Sequence, residues 1–248
     1  MIIDTHAYCF APLDSARGYD SAAAHLALVA SGNAGHHQPA LRLDDGKIGD
    51  SAALTRADCG FRLDKQRGRI EWTDTTDGSR YSKYFIPPAL IGMEYTPHAL
   101  DAEMHYAGVD AALLHTNDML VRDPSYYRDV VRAFPGRLFA MTPSREGLIT
   151  TDTAAAIRDV EYGIRDCGLH AIKFHVNSWY NHTAEPWDDN DAIRPYWEAI
   201  TALDVPIFFT PGHGPLSGQG NAAGFSVITP SCTPPSACLL LDDLRHPA

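Results

Sequence analysis

The stretch that decides the fold is Met1–Phe10, MIIDTHAYCF. An apolar start runs into Asp4-Thr5-His6-Ala7-Tyr8, and because side chains alternate along a strand, Asp4, His6 and Tyr8 are expected on one face. This reads as a strand that carries polar groups to its own carboxyl end, where parallel α/β folds gather their chemistry.

From residue 97 onward the same kind of strand recurs between helices. Thr96 caps PHALDAEMHYAG, with Pro at the first helical position and a Gly stop, and VDAALLHTND follows as an apolar run with a polar end. Asp123 caps PSYYRDVVRAFPG ahead of RLFAMTP. TDTAAAIRDVEYGIRDCG ends on Gly168 before LHAIKFHVN, and NDAIRPYWEAITALD precedes VPIFFTPG. The strands are expected at about 2–6, 109–115, 137–142, 170–176 and 205–210. Helix and strand alternating in this way predict parallel βα units with right-handed crossovers.

A closed barrel of this type has eight strands. The stretch after Gly212, GHGPLSGQGNAAGFSVITPSCTPPSACLLLDDLRHPA, is dense in Gly, Pro, Ser and Thr and shows no βα period. The expected class is therefore α/β, a TIM-like (β/α) barrel incomplete at its C-terminus, in a single domain over 1–248 with an atypical tail at 213–248. Open sheet edges would favour self-association into a homo-oligomer.

Between the first strand and residue 97 lies an insertion at about 21–90. Ser21 caps a short apolar helix, SAAAHLALVAS, that is expected to stop at Gly32. The Gly- and Asp-rich stretch through Gly60 reads as irregular. FRLD, RIEWT and RYSKYFI, separated by Gly-containing turns, read as a β-meander. It is either a surface embellishment or a lid over the mouth.

With 31 acidic against 20 basic residues, a net charge of −11 and a pI near 5.4, the chain lacks the basic excess that nucleic acid or an anionic membrane would need. A small-molecule substrate is expected instead. The five cysteines form no C-x-x-C pair, which suits a reducing cytoplasm. No signal peptide or membrane-spanning run is read.

Bringing the strand tips together collects Asp4, His6 and Tyr8, then His115, Thr142, Lys173, His175 and Thr210, with Asn177 closing the fourth strand. His6 and His175 could hold a divalent metal through neutral ring nitrogens, which suits Zn or a similar ion. Lys173 and His115 are the candidate proton carriers. His36, His37 and Arg42 in the insertion could orient an acid group, since a guanidinium fork matches a carboxylate. Trp179, Tyr180 and Trp187 could wall a pocket for a planar ligand. No phosphate loop, G-x-S-x-G elbow or catalytic cysteine signature is found.

IIDTHAY, LHAIKFHVN and VPIFFTPG together resemble the amidohydrolase superfamily, in its amidohydrolase-related branch of decarboxylases and lactone hydrolases. The resemblance covers the start of the chain and roughly residues 97–212. It implies a (β/α)₈ barrel with a divalent metal, Zn or Mn, held by an H-x-H pair on the first strand, histidines on middle strands and an Asp on the last. His6 matches the first of the pair and Tyr8 stands in place of the second. His175 matches a middle-strand histidine, Thr210 occupies a position where relatives often carry another, and the strand with the Asp is lacking. The implied function is hydrolysis or non-oxidative decarboxylation of a small carboxylate-bearing, aromatic-derived compound. The implied role of Lys173 is a general base or a carbamylated metal bridge. The alternative is an inactive or metal-free barrel fragment that binds a small ligand.

Overall fold

The computed structural model describes residues 1–210 apart from 37, 88, 91 and 189. The tail expected to be atypical, with His213, lies outside them. In chain order the elements are β1 (Ile3–Ala7), α1 (Ala22–Ala34), β2 (Ala40–Arg42), β3 (Ile48–Gly49), β4 (Arg62–Asp64), β5 (Arg69–Thr73) and β6 (Arg80–Tyr84). Then follow α2 (Pro97–Ala107), β7 (Ala111–Leu114), α3 (Pro124–Ala133), β8 (Leu138–Pro143), α4 (Glu146–Thr151) and α5 (Thr153–Glu161). The last are β9 (Ala171–His175), α6 (Val176–Tyr180), α7 (Arg194–Thr201) and β10 (Ile207–Thr210).

The five expected βα strands form one sheet in the order β1-β7-β8-β9-β10, every pair parallel. The sheet is curled. Three strand spacings separate β1 from β9, about 14 Å if flat, yet the Tyr8 hydroxyl lies 3.5 Å from Lys173 Nζ. The same separation divides β7 from β10, and the rings of His115 and Phe208 are 5.8 Å apart. The result is a parallel half-barrel with these side chains on its concave face.

Capping residues set the helices as the sequence predicts. The Thr96 side chain accepts from Ala99 N at 3.2 Å, and Asp123 accepts from Ser125 N at 2.8 Å, each cap contributing about 1 kcal/mol. Two expectations are corrected. Helix α1 passes through Gly32 and is capped at Gly35, and a Cβ on Gly32 would sit 2.3 Å from the Met119 sulfur. That glycine therefore serves close packing rather than termination. The helix expected over 151–168 is α5 followed by a π-helical turn at Tyr162–Asp166, and a further short helix, α4, precedes it.

The insertion forms a second, antiparallel sheet in the order β3-β2-β6-β5-β4. The meander is β4-β5-β6. The segment read as irregular supplies the β2–β3 hairpin, which docks on β6 through Leu41 and Arg42 opposite Ser82 and Tyr81. The insertion is not a detached flap. Ile70 and Trp72 of β5 share one buried cluster with Ala7, Leu13, Met93, Leu100, Leu114 and Tyr127. A second cluster, around Phe174, Trp179, Tyr196 and Ile200, lies between β9 and the helices outside it.

Candidate active site

Strand register decides what reaches the concave face. Lys173 stands in register with Phe208, and His175 with Thr210. The alternate residues Phe174 and Phe209 turn outward, where Phe174 meets Trp197 at a ring distance of 5.0 Å and Phe209 meets Trp187 at 4.8 Å. Trp187 thus packs the helix layer rather than walling a pocket. Trp179, 2% exposed, donates Nε1 to the Glu185 carbonyl at 2.6 Å and belongs to the same outer core. Thr142 is also turned away from the concave face: its Oγ1 lies 2.2 Å from where a Cβ on Gly163 would stand, beneath the π-helical turn.

A β-bulge shapes the first strand. Asp4 pairs with Ala112 and Ala7 with Leu114, so three steps along β1 match two along β7. The extra residue breaks the alternation that would put Asp4 on one face with His6 and Tyr8. The Asp4 carboxylate instead turns back to accept from His6 N at 2.9 Å.

His6, Tyr8, His115 and Lys173 meet. The rings of His6 and His115 stack at 4.0 Å, 2° from parallel. His6 Nε2 lies 2.9 Å from the Tyr8 hydroxyl, and that hydroxyl is 3.5 Å from Lys173 Nζ, at the outer limit of a hydrogen bond. Lys173 also donates to the Thr116 carbonyl at 2.8 Å. His115 Nε2 lies 2.9 Å from the Thr5 carbonyl. A carbonyl only accepts, so Nε2 carries the proton and Nδ1 is the lone-pair nitrogen. That Nδ1 is buried and has no hydrogen-bond partner among the described residues.

Burial sets the electrostatics. It pushes His115 down to about 4, with Lys173 and His6 adding repulsion against the opposing Thr5 hydrogen bond. It takes His175 to about 4 as well, helped by the charges on Lys173 and His115. Lys173 falls to about 8 for the same reason, partly offset by Asp118 and Glu146, and burial raises Tyr8. At neutral pH the site therefore holds neutral imidazoles at positions 115 and 175, a phenol and a mostly protonated lysine.

Two acidic groups that the strand-tip reading did not select stand beside it. Glu146, 3% exposed, accepts from His175 N at 2.6 Å. Burial raises it to about 7, against the hydrogen bonds from the backbone and from Ser178 that favour its charge. Asp118 is open to solvent but ringed by protein. That crowding raises its carboxyl, while Arg122, Arg145 and Lys173 draw it down. Both lie just past a strand end, Asp118 four residues beyond β7 and Glu146 three beyond β8, so extending the same rule into the loops finds them.

The other expected site residues are dispersed. Thr210 ends β10 beside His175. Asn177 lies in α6, directly after β9, and its carbonyl accepts from Asn181 N at 3.1 Å. In the insertion the His36 ring stands edge-on to Phe85 at 5.7 Å and its carbonyl accepts from Lys83 at 3.2 Å. Arg42 pairs with Asp45 at 2.5 Å. His37 lies outside the described residues.

His6 and His115 do not fit one divalent ion in this arrangement. Imidazole lone pairs lie in the ring plane, so the parallel, stacked rings of His6 and His115 cannot converge on one point. His6 Nε2 faces the Tyr8 hydroxyl, and the cationic Lys173 reaches that same hydroxyl. Among the described residues no three His, Cys, Asp or Glu side chains are grouped to hold a metal ion.

Among the described residues no helix is long and apolar enough to cross a membrane. No family model matches the chain, and no curated protein matches it. Among solved structures it is similar to a probable 2-pyrone-4,6-dicarboxylic acid hydrolase from Acinetobacter baumannii with citric acid bound. The identity is 8%, the TM-score 0.35, and the likeness covers 50% of this chain and 41% of that one. A likeness of that size leaves the chemistry to be argued from the residues themselves.

Proposed function

We propose that the concave end of the parallel sheet is the active site of an amidohydrolase-like barrel enzyme. It acts on a small carboxylate-bearing compound, by hydrolysis or non-oxidative decarboxylation. The observation that carries this reading is the junction of Tyr8, His115 and Lys173, delivered by three strands to one point at their carboxyl ends. The chemistry follows from the protonation states. The Lys173 ammonium and the Tyr8 hydroxyl are donors for a carbonyl oxygen that gains charge in the transition state. The His115 imidazole, neutral and with its proton fixed on Nε2, offers Nδ1 as a base for water or for a substrate proton. No step is routed through a metal, because the stacked rings of His6 and His115 point their lone pairs along parallel planes.

The test is turnover of carboxylated lactones and aromatic carboxylic acids by the full chain, followed by product analysis. Tyr8→Phe is expected to lower kcat by about 10²-fold while the unfolding transition is retained. Turnover unaffected by Tyr8→Phe would remove the site from the reaction. Ligand-induced stabilisation without turnover would favour the alternative, a binding protein built on the same cup.

A further inference from the structure

We propose that His25 is a buried imidazolium that latches together two loops at the carboxyl end of the parallel sheet, and that loss of one ring proton releases the loop after β7. The latch does not depend on the reaction proposed above, and His25 lies outside the strand-tip cluster.

His25 stands in α1, within the insertion, and has no exposed surface. Its Nδ1 lies 2.7 Å from the Ser15 carbonyl, in the loop after β1, and its Nε2 lies 3.0 Å from the Met119 carbonyl, in the loop after β7. A carbonyl oxygen only accepts, so each contact needs an N–H, and a neutral imidazole has one. Turning the ring over would set a carbon against each oxygen. Holding both loops therefore requires both ring protons. Because the ring is fully buried, water cannot take over either contact without opening the packing. Hydrogen bonds from a charged donor are roughly twice as strong as neutral ones, which offsets part of the cost of burying the charge.

The groups around the ring leave it as the one that titrates. Helix α1 carries no other titratable side chain. Tyr19, from the loop after β1, stacks on the ring at 5.1 Å and 4°, and its hydroxyl donates to the Asp118 carbonyl at 2.9 Å. Burial first and the Asp118 charge second raise that hydroxyl, against Arg122 and Arg145, so it stays a phenol. The Arg122 guanidinium lies 3.7 Å from the Tyr19 ring centre, donates Nε to the Gly18 carbonyl at 2.8 Å and keeps its charge throughout. The other charged groups of the two loops are engaged elsewhere: Asp14 with Lys65 at 2.5 Å, Asp123 with Ser125 N, and Arg17 over the Tyr126 ring, while Asp20 is exposed. Asp118 is the remaining acid at the junction. When one proton leaves His25, the shorter contact to Ser15 keeps the other, and the Met119 carbonyl is left facing a lone pair. The loop after β7 then loses its polar fastening to α1, and that loop begins at Thr116, whose carbonyl accepts from Lys173 at 2.8 Å. The latch is closed in acid and opens as pH rises.

The experiment follows the full chain from about pH 5 to 9 with two readouts. Nitrogen-15 NMR of the histidine-labelled protein, with His25 assigned by its proximity to the Tyr19 ring, reports the ring protons. Amide hydrogen exchange over 117–122, corrected for the intrinsic effect of pH, reports the loop. Both ring nitrogens are expected to carry protons wherever the loop is protected. Protection is expected to fall by at least about tenfold over the range in which one proton leaves. His25→Gln, with a single amide to offer, is expected to exchange fast at every pH, and Asp118→Asn, which keeps its backbone carbonyl, to retain the step. A bare nitrogen on His25 while the loop is protected overturns the imidazolium. A ring that keeps both protons to the end of the range, protection indifferent to the ring proton, or a step that vanishes in Asp118→Asn overturns the release. If His25→Gln does not fold, the two wild-type readouts decide by themselves.

Discussion

Replacing Glu146 by Gln should change how stability depends on pH, in a direction fixed by where the carboxyl sits. Glu146 is 3% exposed and takes a backbone N–H at 2.6 Å rather than a cation. Burial lifts it from the ordinary 4.5 to about 7. Between those values the folded chain holds a proton that the unfolded chain has released. Stability from this group is thus fully present below about pH 4.5 and is lost as pH rises through 7. A displacement of that size corresponds to about 3 kcal/mol at most. Gln keeps an oxygen for the His175 N–H and cannot ionise. Urea unfolding of both proteins from pH 5 to 8, read at constant m, should show the Glu146→Gln variant gaining on wild type by about 2–3 kcal/mol across the range. A difference that is flat with pH would mean that the carboxyl ionises normally. A difference of opposite sign would mean that the His175 and Ser178 hydrogen bonds outweigh burial.

His115 works in the other direction. Its value falls from the ordinary 6.5 to about 4, so its stabilising effect is present above pH 6.5 and is lost as pH falls toward 4. His115→Gln should flatten that acid limb by up to about 3 kcal/mol in the same urea series, and an unchanged limb would refute it. Gly163→Ala would drive a Cβ to 2.2 Å from Thr142 Oγ1 and 2.6 Å from its Cβ, on a strand residue with no exposed surface. A loss of about 1–3 kcal/mol in urea unfolding is expected, and a neutral result would show that the π-helical turn yields freely.

Much of the half-barrel was legible because each βα unit carries its own punctuation. Thr96 with Pro97 and Asp123 with Pro124 mark helix starts, and apolar runs of four to six residues mark the strands. What escaped depends on partners distant in sequence. The three residues of β2 and two of β3 show no alternation long enough to read; β3 pairs with β2, and β2 in turn pairs with β6, some forty residues away. The bulge in β1 is likewise a property of the β1–β7 ladder, invisible in MIIDTHAY, and it overrides the period-two reading of Asp4. In the site, His6, Tyr8, His115 and Lys173 could be gathered from strand ends because parallel strands share one carboxyl edge. Glu146 lies three residues past β8, within reach of the same rule once it is extended beyond the strand, but its burial comes from the tertiary packing around α4 and is not written in the local sequence.

The cluster that joins β5 to β1 and β7 makes the insertion an internal wall of the molecule. Trp72 and Ile70 on one side, Leu114 and Tyr127 on the other, lose their cover together if either sheet opens. An architecture of this kind is not modular. The segment between the first two barrel strands, as long as many small domains, can be neither trimmed nor transplanted without unmaking the floor on which His6 and Tyr8 stand.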